Sequence, residues 1–346
     1  MRLKAPFPWF GGKSQVAHLV WSRFGRVQNF IEPFFGSGAV LLGRPLPFVG
    51  SETVNDKDGF ICNFYRALAA APDSVAKYAD GSVNENDQHA RHVWLVKQRE
   101  TLTAQLEGDP DYYDVKIAGW WVWGISCWIG SGWCSGNGPW QVNEERQLVH
   151  LGDAGQGVYR KRAHLGNAGR GVHRKRVHLG DAGQGVHRKR VHPGTAGRGE
   201  NGLVEWMRVL AERLRYVRVC CGDWSRICGP TPTVKQGLTA VFLDPPYSED
   251  ERTNDLYATD DGSIAITVRK WAIGWGDDER MRIALCGYAG EHVMPDGWTV
   301  VPWKAAGGYG SQGDGMGKVN SAREVILFSP HCLSGREPQQ GNLFAG

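Results

Sequence analysis

The sequence of 346 residues contains no uninterrupted apolar run of the roughly 20 residues that a membrane-spanning helix requires. Its nearest approach, Ile117 to Trp140, carries no charge but is broken by six glycines. A buried, tryptophan-rich packing element is the reading for that stretch. The first residues, Met1-Arg-Leu-Lys-Ala-Pro-Phe-Pro8, lack the apolar segment of a secretory leader, so a cytoplasmic protein is expected. Among the eight cysteines no Cys-x-x-Cys occurs, nor any Cys/His spacing suited to zinc. Free thiols and no metal site are the expectation. Neither sign of charge dominates, with 40 Lys and Arg against 36 Asp and Glu.

That balance hides an asymmetry. From His150 to Gly199 there are 11 basic and 2 acidic residues, a local charge of +9, which leaves the remainder at −5. The window repeats every 14 residues, with copies beginning at His150, His164, His178 and His192. It holds 12 glycines and neither Trp nor Phe, so it cannot bury a core. A surface loop follows from this. Its basic triplets, Arg160-Lys161-Arg162, Arg174-Lys175-Arg176 and Arg188-Lys189-Arg190, are suited to the phosphates of double-stranded DNA.

Elsewhere strands alternate with helices. Val27 to Ile31 reads as a strand, followed by a glycine turn and the short helix Ala39 to Leu42. A second strand ends at Val54-Asn-Asp56, and Gly59 to Ala70 reads as a helix. Residues 73–115 are polar and mostly helical, with an amphipathic pattern over Asp87 to Glu107. Beyond the repeats come a helix from Gly202 to Val217 and strands at Val217 to Cys221, Leu238 to Leu243, Met281 to Cys286 and Glu324 to Ser329. This alternation predicts an open, mostly parallel sheet covered on both faces. Ligands of such sheets sit beyond the carboxyl ends of the strands, so three strand ends become the candidates for chemistry.

At the first, Glu32-Pro-Phe-Phe-Gly-Ser-Gly38 is a glycine turn that lets backbone approach a ligand. At the second, Asp56 follows about 20 residues on, where a carboxylate can hold a ribose diol. The third, Leu243-Asp-Pro-Pro-Tyr247, is the most specific. Its two prolines donate no hydrogen bond, which frees nearby carbonyls from ladder duty. The Asp244 carboxylate beside a fixed Pro245 carbonyl makes two acceptors for one exocyclic amino group. Tyr247 adds a face for stacking a planar base.

With these residues the sequence resembles the Dam-like, DPPY-type alpha group of S-adenosylmethionine-dependent DNA adenine-N6 methyltransferases. Pro8-Trp-Phe-Gly-Gly-Lys13 resembles that family's opening motif, and Ile31 to Gly38 its cofactor loop. Val54-Asn-Asp56 with Asn63-Phe-Tyr-Arg66 resembles the next motif, and Gly222-Asp-Trp224 the acidic motif ahead of the catalytic strand. Arg323-Glu-Val-Ile-Leu-Phe328 is similar to the closing hairpin strand. The matches keep the family order and cover about residues 6–70 and 202–330.

The resemblance implies a Rossmann-like class I sheet, mostly parallel with a closing antiparallel hairpin strand, interrupted by an inserted target-recognition region. On that division, residues 1–70 form the cofactor half and 71–201 the insertion, which includes the repeat loop 150–199. Residues 202–334 form the catalytic half and 335–346 a flexible tail. S-adenosylmethionine is the implied cofactor, with Trp9, Lys13, Phe35, Gly36, Gly38, Asp56 and Asp223 around it. Asp244, Pro245, Pro246 and Tyr247 are the implied catalytic set, acting on an adenine flipped out of DNA. An N4-cytosine or RNA amino-methyltransferase, or an inactive DNA-binding module, are the alternatives, since the same acceptor pair serves any exocyclic amine. The resemblance also implies a bacterial or phage-encoded, nucleoid-associated enzyme that is a monomer or weak dimer.

Two further features stand apart from the family pattern. Gly307 to Lys318 holds six glycines in its first eleven positions, as a hairpin tip or a loop touching phosphate would. The terminal Gln340-Gly-Asn-Leu343-Phe344 resembles the short peptide by which bacterial proteins dock on the replication sliding clamp.

Overall fold

A computed structural model describes residues 3–9, 12–128, 133–134, 140–142, 148–150, 202–246, 263–303 and 324–334. In chain order its strands are β1 (Asn29–Glu32), β2 (Ser51–Asp56), β3 (Trp140–Val142), β4 (Leu148–His150) and β5 (Val217–Cys221). They continue as β6 (Thr239–Leu243), β7 (Met281–Tyr288), β8 (Thr299–Pro302) and β9 (Glu324–Phe328). Seven of these form one sheet in the order β5-β2-β1-β6-β7-β9-β8. Neighbours from β5 through β7 run parallel, whereas β9 is antiparallel to both β7 and β8. The expected mixed α/β sheet with a closing antiparallel strand is therefore present. The small antiparallel pair β3–β4 lies apart from it, and its three-residue strands are too short for periodicity to reveal.

Both faces of the sheet are covered, which is why the central strands are apolar nearly throughout. Alternate residues serve opposite faces. Phe30, Val54, Phe242, Cys286 and Phe328 join the larger core cluster. Ile31, Val241, Leu243, Ile283 and Leu327 join the other.

On the larger side lie α1 (Ala17–Phe24), α2 (Ala39–Leu42), α3 (Gly59–Ala70), α4 (Pro72–Ala79), α5 (Glu85–Gly108), α6 (Val115–Cys127) and α7 (Gly202–Leu214). On the other lie α8 (Ser263–Gly276) and the short turn Trp224–Ile227. Asp58 caps α3 through Phe60 N, and Asp114 caps α6 through Ile117 N. The helix expected to reach Val217 stops at Leu214, because the residues beyond turn into β5. The described part of the tryptophan-rich stretch is a packing element, as expected: Trp121 and Trp123 on α6 are fully buried. Phe7 meets Trp121 edge-on at 4.9 Å between ring centres. No helix among the described residues is long and apolar enough to cross a membrane.

A buried charge cluster ties the chain after the insertion to the chain before it. Glu52 on β2 accepts from Arg44 at 3.0 Å and from Arg213 of α7 at 2.6 and 2.8 Å. Both guanidinium groups pack on the Phe48 ring, 4.0 and 4.9 Å from its centre. Removing one member strands a buried charge, so the cluster fixes where α7 docks against β2.

Candidate active site

Because β5, β2, β1 and β6 are parallel neighbours, their carboxyl ends open on one edge. The path leads outward from β1 to β2 and β5 on one side, and to β6 on the other. The crevice where such a sheet takes its ligands thus falls between β1 and β6. The glycine turn after β1 and the Asp-Pro-Pro after β6 flank it.

The glycine turn is held open by a carboxylate. Asp56 Oδ2 accepts from the Gly36 amide at 2.9 Å, and its Oδ1 from the Asp58 amide at 2.9 Å. Burial pushes this carboxyl up to about 7, although the amides of Asp58 and Gly36 pull the other way. Gly36 and Gly38 have φ of 49° and 68°, a region that side chains other than glycine's rarely enter. Space forbids a side chain as well: a Cβ on Gly36 would stand 2.6 Å from Trp9 Nε1, and one on Gly38 2.7 Å from Phe35 Cζ.

Asn55 binds the neighbouring strand ends together. Its Nδ2 donates to the Pro33 carbonyl at 3.2 Å and the Gly222 carbonyl at 3.0 Å, while its buried Oδ1 has no hydrogen-bond partner among the described residues. Gly222 N donates to the Asp56 carbonyl at 3.0 Å. Glu32, buried beneath the turn, accepts from Leu41 N at 3.1 Å, and burial drives its carboxyl well above the usual range. Tyr65 lies beside Phe35, with ring centres 4.5 Å apart, and its buried hydroxyl has no hydrogen-bond partner among the described residues. Sequence reasoning assigns no role to Asn55, Glu32 or Tyr65. The signal available for them is a polar residue inside an otherwise apolar strand or helix face.

Asp223, expected near the cofactor, sits at the end of β5, caps the turn Trp224–Ile227 through Ser225 N at 2.9 Å, and also accepts from the Ser225 hydroxyl. Trp9 packs edge-on against Phe7 at 5.9 Å. Lys13 reaches across to the other motif. Its Nζ stands 2.9 Å from Asp244 Oδ2 and 3.8 Å from Glu324 Oε2, with the Trp303 ring centre at 5.2 Å. Burial works against its charge, but Asp244 and Glu324 outweigh that and hold the ammonium above the usual lysine range. Glu324, the first residue of β9, is an acidic residue of the site that sequence reasoning misses. It opens an otherwise apolar strand, Glu-Val-Ile-Leu-Phe328.

Asp244, Pro245 and Pro246 follow β6 directly, with Asp244 partly accessible and Pro245 buried. Tyr247 lies outside the described residues, as do the triplets Arg160-Lys161-Arg162, Arg174-Lys175-Arg176 and Arg188-Lys189-Arg190. The loop 307–318 and the tail residues Gln340, Leu343 and Phe344 are outside them too. All eight cysteines are free thiols. Among the described residues no group of three or more His, Cys, Asp or Glu is placed to hold a metal.

The sheet order with its antiparallel β9, and the switch point between β1 and β6, are those of a Rossmann-like methyltransferase fold. Residues 9–111 match the family described as D12 class N6 adenine-specific DNA methyltransferase, a span that includes Trp9, Lys13, the glycine turn and Asp56. Over that span the chain is similar to adenine-N6 DNA methyltransferases, and the remainder of the chain lies outside the match. No curated protein matches the chain.

Proposed function

We propose that the chain transfers a methyl group from S-adenosylmethionine to the N6 amine of an adenine flipped out of double-stranded DNA. The observation that carries this reading is the pairing of two motifs across one crevice: the glycine turn held by Asp56, and Asp244 beside Pro245 at the adjacent strand end.

The residues present fit such a donor. The left-handed turn at Gly36 and Gly38 admits no side chain and so keeps its backbone bare, and the orphaned Asn55 Oδ1 and Tyr65 hydroxyl offer polar partners. On this reading Trp9, Phe35, Gly36, Gly38, Asp56 and Asp223 hold the donor, and Lys13 sits between donor and catalytic motif. When bound, the donor supplies an electrophilic methyl on a sulfonium.

The residues of the chain supply the rest. An adenine amine is a poor nucleophile because its lone pair is delocalised into the ring. Asp244 Oδ and the Pro245 carbonyl accept the two amino hydrogens, which favours the tetrahedral nitrogen and localises the lone pair. Pro246 fixes the backbone so that the Pro245 carbonyl faces the crevice. Tyr247 stacks the extruded base, offsetting part of the few kcal/mol that unstacking costs. Alignment of amine and methyl contributes much of the remaining rate.

The proposal extends to the chain's organisation. Residues 1–70 and 202–334 make up the catalytic body, and 71–201 the target-recognition region. The repeat triplets add sequence-independent affinity for DNA, with specificity ranging from site-specific to relaxed. The tail residues Gln340, Leu343 and Phe344 dock on a sliding clamp, and the enzyme works in the cytoplasm as a monomer or weak dimer. The direct test is transfer of tritium from labelled S-adenosylmethionine to DNA, followed by nucleoside analysis. Label in N6-methyladenine supports the reading; label in N4-methylcytosine or in RNA alone would overturn it. A clamp pull-down abolished by Phe344→Ala supports the tail's role.

A further inference from the structure

We propose that Lys13 has two stations, and that Glu324 is the positioning residue that takes the Lys13 ammonium from Asp244 as the target amine arrives. The inference rests on the methyl-transfer reading above and concerns how Asp244 becomes available to the amine.

In the structure Asp244 Oδ2 already accepts a charge-assisted bond from Lys13 at 2.9 Å. An ammonium on that oxygen draws electron density from the carboxylate the incoming amine must use, so Lys13 weakens Asp244 as an acceptor for the substrate. Lys13 does not retreat to water, since its side chain is 5% exposed and burial of an ammonium favours contact with anions. What suits its release from Asp244 is a second anion within reach.

Glu324 meets that need. Its Oε2 is buried, has no hydrogen-bond partner among the described residues, and lies 3.8 Å from Lys13 Nζ. A movement of about 1 Å brings the pair to ordinary N–H···O distance. The Trp303 ring, 5.2 Å from Nζ, gives the ammonium an aromatic face beside it. The acceptor itself is held still. Glu324 pairs with Tyr288 in the β7–β9 register, and its carbonyl accepts from Trp303 N at 3.0 Å.

The groups facing Glu324 are Lys13 from the N-terminal segment, Asp244 beyond β6, Cys286 and Tyr288 on β7, and Trp303 after β8. Burial, chiefly, keeps the Cys286 thiol protonated. Burial also pushes the Glu324 carboxyl up to about 7, with Lys13 pulling it down and Asp244 adding to the rise. Below that pH Glu324 is neutral and a poor station for an ammonium, so methyl transfer falls as pH drops through about 7.

The test is single-turnover transfer of labelled methyl to DNA at saturating donor, followed across pH for wild type, Glu324→Gln and Glu324→Asp. Saturating donor separates this effect from protonation of Asp56, which acts on donor binding. Glu324→Gln is expected to slow transfer about tenfold, the scale of one charge-assisted hydrogen bond, and to erase the inflection near pH 7. Donor affinity should stay close to wild type, and Glu324→Asp should restore part of the rate. In a Lys13→Met background the Glu324→Gln change should have no further effect. A Glu324→Gln enzyme with wild-type rate and unchanged inflection overturns the proposal. So does an equal loss with and without Lys13, which would mark Glu324 as merely structural. A wild-type protein that transfers no methyl at all would instead sink the methyl-transfer reading beneath it.

Discussion

The Asp56 carboxylate holds the Gly36 amide at 2.9 Å, and with that bond the end of β2 helps set the shape of the turn after β1. Twenty positions apart in sequence, the two residues stand at the ends of parallel neighbours whose register places Glu32 beside Val54. The carboxylate is thus positioned before any ligand arrives, and its titration follows from its enclosure.

Asp56 gives the first prediction. Its carboxyl titrates at about 7 in the folded protein, whereas an unfolded aspartate titrates at about 3.9. Folding therefore takes up a proton between those values. The stabilisation is complete at low pH and fades as pH rises through about 7. Glu324, raised to about 7 by the same cause, acts in the same direction. Asp56→Asn should flatten the dependence of melting temperature on pH between about 5 and 8. Donor affinity should change oppositely, rising with pH through about 7, because the charged carboxylate is the better acceptor for ribose hydroxyls. Calorimetric titration at several pH values checks this second trend.

A second prediction concerns the glycine turn. Gly38→Ala places a Cβ 2.7 Å from Phe35 Cζ and 3.0 Å from the Tyr65 hydroxyl, at a φ of 68°. Strain of about 1–3 kcal/mol is expected at such a position. Donor affinity should fall by about tenfold, the equivalent of some 1.4 kcal/mol, with the far-ultraviolet circular dichroism unchanged. Wild-type affinity in the variant would show that the turn does not shape the donor site.

The charge cluster around Glu52 gives a stability prediction. Arg44 and Glu52 are both nearly inaccessible to solvent, so Arg44→Met leaves the carboxylate with one partner in a dry site. A drop of about 3 kcal/mol in denaturant unfolding is expected from breaking one side of a buried ionic group. The same drop on adding Arg44→Met to Glu52→Gln would show that the pair is not coupled.

The basic repeats make a prediction about DNA rather than catalysis. Deleting 150–199 removes a net charge of +9. Every phosphate that the arm neutralises adds about 0.9 to the steepness of log K against log salt, so the deletion should flatten that line. Fluorescence anisotropy on duplex DNA at several salt concentrations reads the slope directly. An unchanged slope would mean that the arm neutralises no phosphates.

Much of the fold is legible in the sequence because regular elements leave periodic traces. Gly59 to Ala70 and Val217 to Cys221 have the same bounds in sequence pattern and in structure. The strand expected over Val27 to Ile31 begins two residues later, since Val27 and Gln28 precede the ladder that starts at Asn29. Helix α1 leaves no comparable trace. It is eight residues long and its N-cap, Val16, makes no side-chain capping bond, so no start signal exists. The strand-end motifs are legible because glycine and proline report on backbone. Hidden from sequence is the approach of Lys13 to Glu324, 311 positions apart, which arises only when β9 is inserted between β7 and β8. Asn55 is likewise hidden, because a clasp between two carbonyls leaves no pattern in sequence.

The central claim is that Asp244, with the Pro245 carbonyl, activates an adenine amine for methylation. Its most direct test is expression of wild type and Asp244→Ala in a host without DNA methylation, with modified adenines mapped on the genome by long-read sequencing. The account predicts N6-methyladenine in the wild-type host and about a hundredfold less with the variant, the scale of removing an oriented electrostatic partner at a reacting centre. Donor binding by the purified variant should persist. Methylation by Asp244→Ala at the wild-type level would contradict the account.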